Sequence, residues 1–394
     1  NNAYIYLDFD FRMTSLFPVS FLDCKQWTPK NIETLFERSR DLQSSPVECA
    51  KGKILINAFF EPSTRTSLSF ECAMKRLGGE VITFCPSSSS IQKGENDYDT
   101  IRSLETYGDA LVLRHPSNTF MYNIRPYTSI PMINAGNGDG DHPTQALTDL
   151  YTLHNAFGAQ DFQQKTILFI GDISHSRTIH SFITLLHLYP QTKLFFMPYE
   201  GCEPDGMYLR KIAFIHHQEL DEMIVDYDNE ATCDYHVFDV VYITREQKER
   251  HVDGGNDADV GTDTDTESEA NSDDEMEEDH AYSPLSFCFT NHHANKLRED
   301  AIIMHPLPRN HELHRDVDQN HRAYYFKQME YGVELRMGLL DTLFTTQQKQ
   351  HEENHDFFPS YTENEVSPPN HRTQEWVFVF VLVSAVLFYT WKYT

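Results

Sequence analysis

Apolar positions along this chain recur in two rhythms, one helical and one strand-like. Ile32, Leu35, Phe36 and Leu42 fall at near-helical spacing and predict a helix over 29–42, with Thr28 as cap and Pro29 in the first turn. Residues 53–60 form a short apolar run that predicts a buried strand. It leads directly into Pro62-Ser63-Thr64-Arg65-Thr66-Ser67 and a helix that stops at Gly78-Gly79. Strands are predicted at 80–84, 110–114 and 131–135, a helix at 98–107, and a longer helix at 142–156. The pattern then restarts, with a strand at 166–171, a helix at 177–188 and strands at 194–197, 237–244 and 301–305. An amphipathic helix follows at about 324–344. Alternating β and α elements imply parallel sheets covered by helices. The prediction is therefore an α/β fold of two doubly wound parallel-sheet lobes joined by a linking helix, plus a C-terminal hydrophobic tail. The first lobe is placed at 15–141 and completed by the late helix at 324–344. The linking helix is 142–157 and the second lobe 158–323.

Three segments break the pattern. Residues 253–279 hold thirteen acidic side chains and no basic one, so 253–280 reads as a disordered acidic insertion in the second lobe. Residues 345–375 are polar, contain Pro359, Pro368 and Pro369, and read as a linker. Residues 376–391 are almost wholly apolar. As a helix they span about 24 Å, slightly less than a bilayer core needs. They read as a membrane anchor, with a packed strand or docking helix as the competing expectation; Trp376, Tyr389, Trp391 and Tyr393 suit an interfacial belt.

Charge changes the picture in one respect. The net charge of the 394-residue chain is −28, and without the acidic insertion it is still near −15. A nucleic-acid partner calls for a basic footprint and is not expected. Any anion site must be local, built from a few convergent Arg, Lys and backbone N–H groups. The seven cysteines are scattered without a C-x-x-C pair, which points to reduced thiols in the cytoplasm rather than a metal site or disulfide framework.

Six strings follow predicted strands or open predicted helices. Ser63-Thr64-Arg65-Thr66 lies between a strand and a helix, where unpaired N–H groups and the helix dipole favour an anion. Without a P-loop pattern, it does not imply a nucleoside triphosphate. Arg114-His115-Pro116 ends a strand, and ligands in open α/β sheets bind at such ends. His142-Pro143-Thr144-Gln145 opens the linking helix. Gly171-Asp172 with Arg177, the run Arg245-Glu246-Gln247 and the string His305-Pro306-Leu307-Pro308-Arg309 complete the set. Taken singly, each has an ordinary structural explanation: a cap, a core histidine, a solvated charged run. Together they place five Arg-bearing strings at strand-to-helix exits of an acidic chain, which points to a small substrate with several negative charges.

These strings, with Ser90-Ile91-Gln92-Lys93-Gly94-Glu95, resemble the aspartate carbamoyltransferase family over about 22–343. The Ser90 string is similar to the version found in eukaryotic multifunctional pyrimidine enzymes. The resemblance implies transfer of the carbamoyl group of carbamoyl phosphate to L-aspartate, early in de novo pyrimidine synthesis. It makes the first lobe the carbamoyl-phosphate lobe and the second the aspartate lobe, with no metal and no cofactor. It implies that Ser63, Thr64, Arg65 and Thr66 hold the phosphate. Thr66, Arg114 and His142 would bind the carbamoyl oxygen and Gln145 the carbamoyl nitrogen. The Leu307 carbonyl, before a cis Leu307-Pro308 bond, would orient the carbamoyl group. Arg177, Arg245 and Gln247 would bind aspartate. Ser90 and Lys93 would reach the neighbouring subunit's site in a homotrimer, with Lys93 serving both substrates. Arg65, Thr66, Lys93, Arg114 and His142 are the residues expected to carry catalysis. Three departures stand out: Ser174 occupies a position where Lys is common, Asn137 one where Asp is usual, and the acidic stretch replaces the family's loop after Gln247-Lys248-Glu249-Arg250, near the aspartate site. The alternatives are an ornithine carbamoyltransferase, or a membrane-tethered binding protein of the same fold with impaired catalysis. His305-Pro306-Leu307-Pro308 lacks the Cys typical of the ornithine enzymes, and Arg245 with Gln247 suits a dicarboxylate.

Overall fold

The computed structural model of the protein describes residues 17–45, 47–225, 233–247 and 287–357. The acidic insertion at 253–280, the linker beyond Phe357 and the tail at 376–391 lie outside the described residues. Among the described residues no helix is long and apolar enough to cross a membrane.

In chain order the elements are α1 (Pro29–Ser44), β1 (Ile54–Phe59), α2 (Thr64–Arg76), β2 (Glu80–Phe84), α3 (Asp97–Leu104), β3 (Ala110–His115), α4 (Phe120–Ile124), β4 (Met132–Asn137) and α5 (Pro143–Phe157). They continue with β5 (Thr166–Gly171), α6 (Arg177–Leu186), β6 (Lys193–Pro198), α7 (Gly206–His216), α8 (Leu220–Met223), β7 (Val240–Ile243), α9 (Asn291–Ala294), β8 (Ile302–Met304) and α10 (Tyr325–Phe357). The strands form two parallel four-stranded sheets with the same topology, β2-β1-β3-β4 and β6-β5-β7-β8. Two like lobes were therefore visible in the restarting pattern. The central strands are buried on both faces, which is why they read as continuous apolar runs. Along β1, Leu55 enters one core while Ile56 and Ala58 enter another on the opposite face.

Helix α5 joins the lobes and is buried almost throughout. Ala146, Leu147, Leu150, Tyr151 and Leu153 belong to one core that includes Leu35 and Phe70 from the first lobe and Phe169, Phe182 and Tyr242 from the second. Helix α10 then returns to the first lobe. Arg38 on α1 makes a two-point ion pair with Asp341 at 2.6 and 2.9 Å, and a Cβ at Gly338 would sit 2.2 Å from Ser39 Oγ.

Two sequence expectations need correction. Helix α10 does not stop near residue 344 but continues to Phe357, into the stretch read as linker. Its added residues are largely Gln, Lys, Glu and His, without proline, so the backbone continues although the apolar stripe ends. Helix α7 was not expected at all. It is capped by Asp205, whose side chain accepts from Met207 and Tyr208 N–H, and it buries Leu209, Ile212, Ala213 and His216.

Leu150 fills the seam between the lobes and is completely buried. Leu150→Ala should lower the midpoint of urea unfolding, at a cost of about 2–5 kcal/mol. An unchanged midpoint would show that α5 is not where the two lobes share their core.

Candidate active site

The C-terminal ends of the central strands and the helices that follow them enclose a cavity of about 1100 Å³. It is lined by Arg65 and Arg114 from the first lobe, Arg177 and Arg245 from the second, and Arg336 from α10. Only Glu61 and Asp139 among the lining side chains are acidic. The chain is acidic overall, yet this one place is strongly positive.

The α2 N-terminus forms one wall. Strand β1 delivers Phe59, and Pro62 directs the chain into Ser63, Thr64, Arg65 and Thr66, all of which line the cavity. Ser63 occupies the N-cap position with extended backbone (φ −159°), but its side chain makes no capping hydrogen bond. The ordinary explanation of this string as a serine cap therefore does not hold. A helix N-terminus with an uncommitted hydroxyl is a place for an anion. Arg65 stands close enough to Arg114 that burial and this like charge both lower its pKa.

Glu61 keeps the guanidinium groups together. Its Oε2 accepts from Arg114 Nε at 3.1 Å and lies 3.5 Å from Arg177 Nη1. Arg114 comes from β3 and Arg177 from α6, so one carboxylate ties a cation of each lobe. Arg177 also donates to the carbonyl of Gly138. Gly136 (φ +117°) lies beneath it, where a Cβ would be 3.2 Å from Arg177 Nη2.

His142 is the N-cap of α5, and its backbone N–H donates to Ser181 Oγ at 2.9 Å. Its ring is buried, and burial together with Arg177, Arg114 and Arg336 holds its pKa well below the usual histidine value. A neutral imidazole can donate one hydrogen bond to a developing oxyanion, but it does not serve as a charged acid near neutrality.

Two loops complete the walls. Asp172, fully buried after β5, accepts from the N–H of His175 and of Gln247, both at 3.0 Å, and so holds the start of α6 beside the Arg245 loop. Gly171 (φ +121°) is required there, since a Cβ would lie 2.1 Å from the Thr244 carbonyl oxygen. After β8, His305 Nδ1 accepts from Leu307 N–H at 2.8 Å, so the Nε2 side carries the proton toward Glu312 at 2.9 Å. The Leu307-Pro308 bond is cis, as expected.

Twelve of the fourteen expected site residues line this one cavity: Ser63, Thr64, Arg65, Thr66, Arg114, His142, Gln145, Arg177, Arg245, Gln247, Leu307 and Pro308. Ser90 and Lys93 do not. They lie exposed on a short 3₁₀ turn, Ser90–Lys93, beyond β2. His115 is also outside, stacked on Phe120 at 4.0 Å and bonded to Asp97. The sequence reading assigned no role to Glu61, Thr148, Gln328 or Arg336, all of which line the cavity. Near the N-terminal ends of α5 and α10, Asp149 accepts from Gln145 and Gln328, and burial pushes its carboxyl up to about 7. Among the described residues no group of three or more His, Cys, Asp or Glu side chains is placed to hold a metal.

Comparison with known proteins agrees with this architecture. Residues 20–155 match the carbamoyl-P binding domain of aspartate/ornithine carbamoyltransferases, and residues 163–343 match their Asp/Orn binding domain. The chain belongs to the aspartate/ornithine carbamoyltransferase family. It is 38% identical to the aspartate carbamoyltransferase catalytic subunit of Methanocaldococcus jannaschii over 76% of this chain and 87% of that protein. It is 36% identical to the multifunctional protein pyr-3 of Neurospora crassa, over 81% of this chain. There it spans only 16% of the relative's length, and 12% of the multifunctional protein ura1 of Schizosaccharomyces pombe. Among solved structures it is similar to the aspartate transcarbamoylase of Trypanosoma cruzi in complex with N-(phosphonacetyl)-L-aspartic acid. That likeness has a TM-score of 0.66 and 32% identity, covering 82% of this chain and 94% of that one.

The depressed His142 pKa has a direct consequence. A histidine with the ordinary value is mostly charged at pH 6. The His142 ring should instead stay neutral at pH 6, as read from its ¹⁵N shifts. A doubly protonated ring at that pH would contradict the placement of three guanidinium groups around it.

Proposed function

We propose that this chain transfers the carbamoyl group of carbamoyl phosphate to the α-amino group of L-aspartate, giving N-carbamoyl-L-aspartate and phosphate. The observation that carries this reading is the convergence of five guanidinium groups on one cavity at the N-terminus of α2. Two substrates that together carry phosphate and two carboxylates suit that charge. The named relatives and the ligand of the similar solved structure favour aspartate as the acceptor.

In this reading the phosphate sits against Ser63, Thr64, Arg65 and Thr66. The carbamoyl oxygen faces Thr66, Arg114 and His142, and the carbamoyl amide faces Gln145 and the Leu307 carbonyl. Arg177, Arg245 and Gln247 take the aspartate carboxylates. The neutral amine attacks the carbonyl carbon, forming a C–N bond and a tetrahedral oxyanion. Guanidinium and imidazole donors fixed around that oxygen stabilise it without reorganisation. Holding both carboxylates aligns the amine for attack. The C–O bond to phosphate then breaks, and the leaving phosphate takes the proton from the amine. An ornithine ammonium would need a carboxylate to receive it, and of the two that line the cavity Glu61 is already engaged by Arg114 and Arg177. Arg65→Ala should lower kcat/KM for carbamoyl phosphate by about 100-fold or more, through loss of a charge-assisted phosphate contact. Turnover like the parent's would remove the phosphate from this cradle.

The active unit in this reading is a homotrimer with shared sites. Two observations support it. Ser90 and Lys93 are exposed and away from their own chain's cavity. Edge strand β2 also leaves Glu80, Ile82 and Thr83 exposed, unusual in a parallel sheet. Lys93 then adds positive charge to both substrates of the neighbour and Ser90 a hydrogen bond, through one repeated head-to-tail contact. Lys93→Ala and His142→Ala should each be nearly inactive. Mixed, dissociated and reassembled, they should regain activity at interfaces where a normal Lys93 meets a normal His142. Hybrids that form and stay inactive would confine Lys93 to its own subunit.

A further inference from the structure

Asp149 lies one turn after Gln145 on α5 and is completely buried. Its Oδ1 accepts from Gln145 Nε2 at 2.7 Å and from Gln328 Nε2 at 2.6 Å. Its Oδ2 accepts from the Tyr242 hydroxyl at 2.9 Å. The three donors come from α5, α10 and β7, and Arg336 is the cation that faces the carboxyl. The orientation of a side-chain amide follows from the network it joins. Gln328 settles this one, because its Oε1 accepts the His305 backbone N–H at 3.1 Å, so its Nε2 must be the atom on Asp149. Oδ1 is thus an acceptor, and Gln145 must also present its nitrogen to it. The Gln145 oxygen is left for the cavity that Gln145 lines.

The same carboxylate acts on the opposite wall. Through Gln328 it holds the backbone of His305, whose ring in turn binds Leu307 N–H. The Leu307 amide proton is therefore spent inside the loop, and Leu307 offers the cavity only its carbonyl as a polar group. Gln145 and Leu307 then each turn an acceptor toward the cavity, the Gln145 Oε1 and the Leu307 carbonyl oxygen. Protonation of Asp149 does not reverse this. A proton on Oδ2 is accepted by the Tyr242 oxygen, and Oδ1 keeps both amides.

We infer that Asp149 is a positioning residue for donor specificity: by orienting Gln145 and the Leu307 loop it makes the carbamoyl subsite select an NH₂ group over a methyl of the same size. This rests on the reading above that places the carbamoyl amide beside Gln145. A pocket built to pair N–H groups rejects an analogue without them, because its acceptors are left dry and unpaired. Acetyl phosphate is that analogue, and it shares the phosphate contacts.

The test measures KM for carbamoyl phosphate and inhibition by acetyl phosphate and by inorganic phosphate, on the full chain, with thermal unfolding of every variant. Asp149→Leu and Gln145→Ala should each lose about 10- to 100-fold of the preference for carbamoyl phosphate over acetyl phosphate, with inorganic phosphate unchanged. Asp149→Ala carries the same expectation and is read if the leucine variant does not fold. Asp149→Asn should keep the preference, since its Oδ1 still accepts both amides and its Nδ2 donates to Tyr242. A purely structural role moves all three ligands together and overturns the inference. Loss of preference in Asp149→Asn equal to that in Asp149→Leu also overturns it. If Gln145→Ala loses the preference and the leucine or alanine variant at 149 keeps it, Asp149 has no part while Gln145 remains in place. If Gln145→Ala keeps it, the carbamoyl amide is not beside Gln145, and the underlying placement fails instead.

Discussion

Five guanidinium groups cannot be gathered around one cavity without an electrostatic cost, and the site is organised by how that cost is met. Glu61 holds Arg114 and Arg177 at 3.1 and 3.5 Å, one from each lobe. Asp149 faces Arg336, which burial lowers to about 10. Burial and the remaining repulsion also appear as shifted pKa values: Arg65 is lowered by burial and Arg114, and His142 by burial and three arginines. Local charge at this cavity is thus positive although the chain as a whole is acidic. The same charges set what His142 can do, because a histidine kept neutral by its neighbours can donate a hydrogen bond but is not a charged acid near neutrality.

Much of this was legible in the chain. Strands buried on both faces produce unbroken apolar runs, and strings that line the cavity follow such runs at their C-terminal ends. Ser63 to Thr66, Arg114 and His305 to Pro308 stand in those positions, so a polar string after an apolar run located them. Asn137, noted only as a departure, has a structural use: its Oδ1 accepts from Asp141 N–H at 2.7 Å and its Nδ2 donates to the Asn118 carbonyl at 2.7 Å. A neutral amide can do both at once, and a carboxylate cannot.

What was missed had physical causes. Arg336 and Gln328 lie within a long amphipathic helix, where such residues read as its solvated face. Only tertiary packing turns them inward, Arg336 over the Phe70 ring at 5.1 Å. Glu61 stands just before the Ser63 string but acts through cations distant in sequence. Helix α7 escaped notice because Met207 and Phe214 are 78% and 82% exposed while Leu209 and Ile212 are buried. Apolar residues all round blur a 3.6-residue rhythm.

The path of the chain has one further consequence. The first lobe is not built from a continuous stretch: after the second lobe, α10 comes back to pair Asp341 with Arg38 and to press Gly338 against Ser39. A ribosome releasing this polypeptide from its N-terminus therefore exposes a first lobe that lacks one of its packing partners until nearly all of 17–346 has emerged. Its α1 face around Leu35, Arg38 and Ser39 must wait through the synthesis of the entire second lobe. The lobes mature together rather than in sequence, and early termination of translation yields an uncovered surface instead of a finished domain.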